Sequence, residues 1–212
     1  MTALRSFAAV LLLAIGCGPA AQNPTSPPRP SELLVDDPPL PAQLQHSTES
    51  GDTREIEWRL FERARRVDKS HTQQCQRGVE ERLRVWTHEG ALVADAEFDQ
   101  WVCGFRTEAD AQRSFQAVPA SHLAGEDWPA LEEHSPEELA PSGWTSGSVS
   151  ADPAQLLCFH GDPEGLCWGW LYRGVYGRYV VTLRLHAGND LEAFEDLVLA
   201  VDRHVVAVVA GD

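Results

Sequence analysis

Between Tyr176 and His186 the side chains alternate, with Tyr179, Val181, Leu183 and Leu185 set against Arg178, Val180, Thr182 and Arg184. A few residues later the period changes, and Leu191, Phe194, Leu197, Val198, Val201, Val205 and Val208 recur at helical spacing over roughly twenty residues. A period of two puts one face of a strand in the core, and a period near 3.6 does the same for one flank of a helix. A strand leading into a long amphipathic helix needs a sheet for that helix to cover, which constrains the chain toward an α+β fold. Asn189-Asp190 and Glu192 supply the helix start, and Glu192, Glu195, Asp202 and Arg203 exclude a transmembrane reading of it.

The upstream chain supplies the rest of an antiparallel sheet of about five strands. Val79 to His88 and Leu92 to Cys103 read as a hairpin around Glu89-Gly90-Ala91, and Gln155 to His160 and Leu166 to Arg173 read as two more strands. In the strand Leu92 to Cys103, Asp95, Glu97 and Asp99 alternate with Ala94, Ala96, Phe98 and Gln100, which predicts one wet face. Thr107 caps a middle helix with Glu108 and Asp110 in its first turn and Ala111, Phe115 and Val118 as its buried stripe. Asp52 with Glu55 opens a further helix over Thr53 to Asp68, where Ile56, Leu60, Ala64 and Val67 repeat and Trp58 and Phe61 widen the apolar side. Residues 119–153 are rich in Pro, Ser, Gly and Glu and read as a long irregular excursion carrying Trp128 and Trp144. The order β-β-α followed by β-β-β-α is compatible with two distant halves of one plan.

Export is written into the first residues. Arg5 gives a positive start, Phe7 to Ile15 are nine uncharged apolar residues, and Gly16-Cys17 follow. Nine are too few to span a bilayer, which takes about 20. Leu13 to Cys17 resembles a bacterial lipobox, although Leu13 lies one place earlier than the pattern prefers and Ala14 takes its position. The resemblance covers residues 1–17 and implies cleavage after residue 16, acylation of Cys17 and anchoring to a membrane outside the cytoplasm. Gly18 follows the cysteine where an Asp would imply inner-membrane retention, so the outer membrane is favoured in a host with two. Residues 17–52 then read as a tether, since the Pro-rich runs Pro24 to Pro30 and Asp36 to Pro41 bury too little apolar surface to fold. About 35 such residues reach on the order of 30 Å. Residues 53–212 remain for a single domain.

In such a compartment the other four cysteines, Cys75, Cys103, Cys158 and Cys167, are read as two disulfides, for which three pairings exist. Asp162 to Gly165 is a turn signal that brings Cys158 toward Cys167 and leaves Cys75 for Cys103. A metal site built on His71 with Cys75 and His160 with Cys158 is the competing reading; it lacks a CxxC and sits where thiols oxidise.

Charge narrows the partners. The 212 residues hold 32 Asp and Glu against 17 Lys and Arg, Lys69 being the only lysine, for a net charge of −15. That surface repels phosphates, so nucleic acid is excluded as a partner and adhesion to anionic headgroups by charge is disfavoured. Nucleophilic chemistry finds only Gly143 to Gly147, in which Ser146 stands fourth and not third as in a nucleophile elbow, and no spacing ties His160, His186 or His204 to it. Glu132, Glu133, Glu137 and Glu138 read as a solvated acidic run. Trp168, Trp170 and Tyr172 fall on one strand face, either as a binding surface or, more simply, as core beneath the last helix. The sequence thus describes a lipid-anchored envelope protein whose domain binds another protein or a small ligand without a cofactor. A tethered hydrolase or a purely structural component is the alternative.

Overall fold

The computed structural model describes residues 26–45, 53–55, 58–61, 75, 77–88, 97–118, 149–158, 169–186 and 191–211. Eight strands are found among them: β1 (Gln43–Gln45), β2 (Thr53–Glu55), β3 (Trp58–Phe61), β4 (Glu80–His88), β5 (Glu97–Gly104), β6 (Ala154–Cys158), β7 (Gly169–Tyr176) and β8 (Tyr179–His186). Two α-helices, α1 (Glu108–Ala117) and α2 (Leu191–Ala210), and a 3-10 turn at Pro30–Leu33 complete the set. β1 and β2 pair by themselves, and the other six form an antiparallel sheet in the order β3-β4-β5-β8-β7-β6.

The fold is therefore α+β and antiparallel; among the described residues the main sheet has six strands where about five were expected, and two α-helices are found where three were expected. The helix expected over Thr53 to Asp68 is replaced at Thr53–Glu55 and Trp58–Phe61 by strands, while residues 56–57 and 62–68 lie outside the described part. Trp58 and Phe61 are aromatic strand formers, and pairing with β4 supplies backbone partners that an isolated helix lacks. Leu60, one member of the apolar repeat expected to be buried, is exposed. The change makes each half of the sheet three strands followed by a helix, with β5 and β8 meeting at the centre. The halves are not a true repeat. A two-fold axis between antiparallel strands runs through the sheet and keeps helices on one face, whereas α1 and α2 lie on opposite faces.

On the α2 face, Trp86, Phe98, Val102, Trp170, Tyr172, Val181, Leu183 and Leu185 pack against Phe194, Leu197, Val198, Val201 and Val205 in the main core. On the other face, Cys103, Val175 and Val180 pack with Phe105, Ala111 and Phe115. Thr107 caps α1 as its sequence implies, its Oγ1 accepting the Asp110 N–H at 3.1 Å. At the other end of α1, Arg173 donates to the Phe115 and Val118 carbonyls at 3.3 and 3.0 Å, supplying cationic charge where the dipole is negative. Arg173 is only 1% exposed and its guanidinium stacks 4.6 Å from the Phe115 ring centroid. Burial lowers its pKa to about 10.

Two further expectations are revised. The wet face assigned to β5 does not hold at Asp99, which is buried, because α1 and α2 cover opposite sides of the sheet. The segment read as tether contributes to the core: Pro30–Leu33 form the 3-10 turn, and Leu33 and Leu34 are buried there. Gln100 holds them from β5, its Nε2 donating to the Leu33 carbonyl at 2.9 Å and its Oε1 accepting the Val35 N–H at 2.8 Å. Arg84 adds a bond to the Val35 carbonyl at 2.8 Å and an ion pair with Asp36. Composition measured over the whole stretch hides two adjacent buried leucines, held by sheet bonds to the backbone of Leu33 and Val35.

One complete disulfide, Cys75–Cys103, lies among the described residues where two were expected. It ties the chain before β4 to β5 across a sequence separation of 28. Cys158 is also a disulfide cysteine, with its partner outside the described residues.

Leu33→Ala is expected to lower unfolding free energy by about 2–5 kcal/mol, as for other fully buried leucines. Chemical denaturation measures it, and a change near zero would mean that this segment behaves as a tether after all.

Candidate functional site

Two polar groups are assembled by the sheet. The first lies on the α1 face, where β5 and β8 run side by side in the register Glu97↔His186, Asp99↔Arg184 and Trp101↔Thr182. Residues directly opposite on neighbouring strands share a face, so Glu97, Asp99 and Trp101 lie beside Thr182 and Arg184. Arg184 places both Nε, at 2.8 Å, and Nη2 on Asp99 Oδ2, and its Nη2 is 3.9 Å from Glu97 Oε1. Its guanidinium carbon is 5.9 Å from the Trp101 ring centroid.

Three partners thus surround one cation, and the two acids differ sharply. Asp99 is buried against Arg184, whereas the Glu97 side chain is 41% exposed. Partial burial, then repulsion from Asp99 and a hydrogen bond to it, raise Glu97 to about 7, with the Arg184 charge opposing. Below about pH 7 the protonated form of Glu97 predominates and donates to Asp99. The cluster can lose or accept that proton in the physiological range, and Glu97 presents it at a surface.

The second group braces the α2 face. Asp202 of α2 accepts the Tyr176 hydroxyl at 2.8 Å and the Ser150 N–H at 2.8 Å on Oδ1, and the Ser150 hydroxyl at 3.1 Å on Oδ2. The Tyr176 proton is spent on Asp202, so across their 2.9 Å contact Tyr172 donates to Tyr176. Burial raises both phenols above their ordinary range, and the Asp202 charge adds to it. A Cβ at Gly174 would meet the Tyr172 hydroxyl and come within 2.6 Å of Ala151 Cβ. The absence of a side chain there lets the tyrosine fold over the strand. These groups satisfy one another and tie α2, β7 and residues 150–151 together, a structural task.

The sequence-derived candidates fare differently. Trp170 and Tyr172 are buried in the main core, so the packing reading accounts for both and neither forms a binding surface. Trp168, Cys167, Cys17, Ser146, His71, His160 and the acidic run Glu132, Glu133, Glu137 and Glu138 lie outside the described residues. His186 ends β8 opposite Glu97. His204 lies on α2 with Nε2 at 3.0 Å from the Glu32 carbonyl, in contact with the docked N-terminal segment. No group of three or more metal-ligating side chains gathers among the described residues. The Glu97, Asp99 and Arg184 cluster was not singled out by sequence. Its only trace was the acidic alternation on β5 and the arginine in the alternating run of β8, and nothing local links them across 85 positions.

Tyr176→Phe should cost about 1–3 kcal/mol, since it removes a donor from the buried Asp202 carboxylate, and thermal unfolding against Tyr172→Phe reports it. At Glu97 the folded state holds its proton more tightly than the unfolded chain, whose carboxyl titrates near 4.5. Stability from this group is therefore fully present below that value and is lost as pH rises through about 7. Glu97→Gln should flatten the loss across that window, and an unchanged pH profile of denaturation midpoints would contradict the assignment. No protein-family model matches the chain, and neither a curated protein nor a solved structure matches it.

Proposed function

We propose that the protein is exported, acylated on Cys17 and held at the cell envelope. There its domain acts as a non-catalytic binding module for an envelope protein or small ligand, through the sheet face around Glu97, Asp99, Trp101 and Arg184. The observation that carries the binding reading is the half-exposed Glu97 at the edge of a buried Asp99–Arg184 pair. Asp99 and Arg184 hold each other in place, so Glu97 is presented on a rigid strand beside the partly buried Trp101 ring, as a recognition surface requires. A ligand bearing a cation or a strong hydrogen-bond donor complements the ionised form of Glu97. No described helix is long and apolar enough to cross a membrane, and the proposed attachment is the lipid. The second disulfide of this reading joins Cys158 to Cys167.

A tethered hydrolase is the second reading, and the same acid favours it. A carboxyl near pKa 7 beside a second carboxylate is the arrangement of a general acid with its partner. It lacks an assigned nucleophile or substrate pocket among the described residues.

Intact mass of protein extracted from its native membrane, with and without reduction, tests the anchor. An acylated Cys17 terminus and a gain of four protons are expected, and an unmodified chain with free thiols would overturn it. For the binding face, cross-linked capture from the envelope should be lost in Glu97→Lys while folding is retained. Capture that persists unchanged removes this face from the proposal.

A further inference from the structure

The route by which the N-terminal segment reaches the domain singles out one end of the sheet. The Tyr179 hydroxyl donates to the Pro28 carbonyl, and Pro30 packs where Gly104, the last residue of β5, has no side chain. Residues 26–30 therefore meet the domain where β5 ends and β8 begins. From Cys17 to Ser26 is nine residues, which span at most about 32 Å in any conformation. If Cys17 carries lipid, this end is held next to the bilayer, and the reach of a 35-residue tether does not apply.

The surface of that end is unlike the rest of an acidic chain. Arg178 is in the two-residue turn between β7 and β8, and its carbonyl accepts the Phe105 N–H at 2.9 Å, which brings Arg106 alongside. The Val79 N–H donates to the Gly104 carbonyl at 2.8 Å, and with the Cys75–Cys103 disulfide this fixes Arg77 at the same rim. Arg29 adjoins Pro28. Among the described residues none of these four arginines has an ion-pair partner. Two of the nearby acids are neutralised by other arginines, Glu80 by Arg82 at 2.7 Å and Asp110 by Arg113, while Glu32 accepts the Arg29 N–H at 2.7 Å and keeps its charge. Glu108 accepts from Gln112 at 3.2 Å, and Asp152, whose N–H donates to the Val175 carbonyl at 3.0 Å, lies at the same end of the sheet on the β6 side, so the four arginines outnumber the acids left without a cation there. The N-terminus of α1 adds its positive dipole end.

The same end carries exposed apolar side chains. Asp202 and His204 fix the middle of α2 to Tyr176 and to the Glu32 carbonyl, so the last turns of that helix extend to this rim. Val206 and Val209 there are 37% and 39% exposed, and Val79, next to Gly104, is 51% exposed. Leu60 is the one other large apolar side chain exposed among the described residues. Arginines without an ion-pair partner among the described residues, and exposed valines, sharing one pole at the point where a short anchor leaves, are what a headgroup layer accommodates: phosphates for the guanidinium groups, the acyl boundary for the valines. The whole-chain charge of −15 does not oppose this beyond a Debye length of about 8 Å, because charges farther away are screened.

We propose that this pole, formed by Arg29, Arg77, Arg106, Arg178 and the valine-bearing tip of α2, seats on an anionic phospholipid surface. The proposal rests on acylation of Cys17 for its orientation, and the sheet face around Glu97 then points away from the membrane, at the opposite end of β5.

Full-length protein mixed with vesicles of phosphatidylcholine alone, or with phosphatidylglycerol added, tests this by sedimentation and amide hydrogen exchange. The intact mass of the same sample is recorded. Slower exchange at 77–79, 105–106, 177–178 and 206–211, but not at 97–99, is expected with phosphatidylglycerol only. It should be lost at about 1 M salt, where the Debye length is about 3 Å. Arg106→Ala and Arg77→Gly should each weaken the phosphatidylglycerol-dependent partitioning about fivefold. Arg77 sits at φ 67°, which glycine adopts without strain, so that variant retains the fold. Equal exchange on both vesicles, or protection at 97–99 instead, overturns the proposal. Protection that needs added envelope protein overturns it in favour of a protein partner. An acylated mass without protection removes the surface and leaves the anchor, whereas an unmodified mass with protection on anionic vesicles does the reverse.

Discussion

The pairing of β5 with β8 joins stretches of chain some eighty positions apart, from Glu97↔His186 to Gly104↔Tyr179. Closing so long a loop costs entropy that only a few contacts cannot offset. Here a full-length ladder is supported by burial on both faces, with α2 and the docked Leu33 and Leu34 on one side and α1 on the other. The two three-stranded halves become one sheet through this pair, and both polar groups depend on it. Asp99 meets Arg184 across it, and Tyr176 sits over Asp202 because β7 is aligned on β8.

The two groups show how the same chemistry serves different ends according to what remains outside. Asp202 is closed: each oxygen has a donor, the tyrosines relay into one another, and the geometry spends every proton internally. The Asp99–Arg184 pair is also buried, but it leaves Glu97 at its margin with a raised pKa and a partly exposed carboxyl. A buried ion pair adds little net stability after desolvation; holding a neighbouring group in one geometry is the better account of it.

Local patterns were legible where they bury one face against one neighbour. The cap at Thr107, the stripe Ala111, Phe115 and Val118, the alternating run of β8 and the long helix after it all appear as their residues imply. The reading failed where two patterns compete or where a distant partner intervenes. Trp58 to Phe61 fit either helix or strand until β4 offers an edge, and a Pro-rich segment hid Leu33 until Gln100 satisfied its backbone.

By itself, then, the sequence determined the periodicities that make strands and helices, the number of cysteines able to pair, and an N-terminus resembling that of a lipoprotein. These are properties of neighbouring residues and need no knowledge of what lies across the fold. Tertiary structure decided the order of the strands, the faces taken by α1 and α2, and which charges meet. It also decided that arginines scattered from Arg29 to Arg178 gather at one end of a strongly acidic chain. The reason is physical: register is set by the sum of packing on both faces of a sheet, and no residue carries that sum in its own neighbourhood.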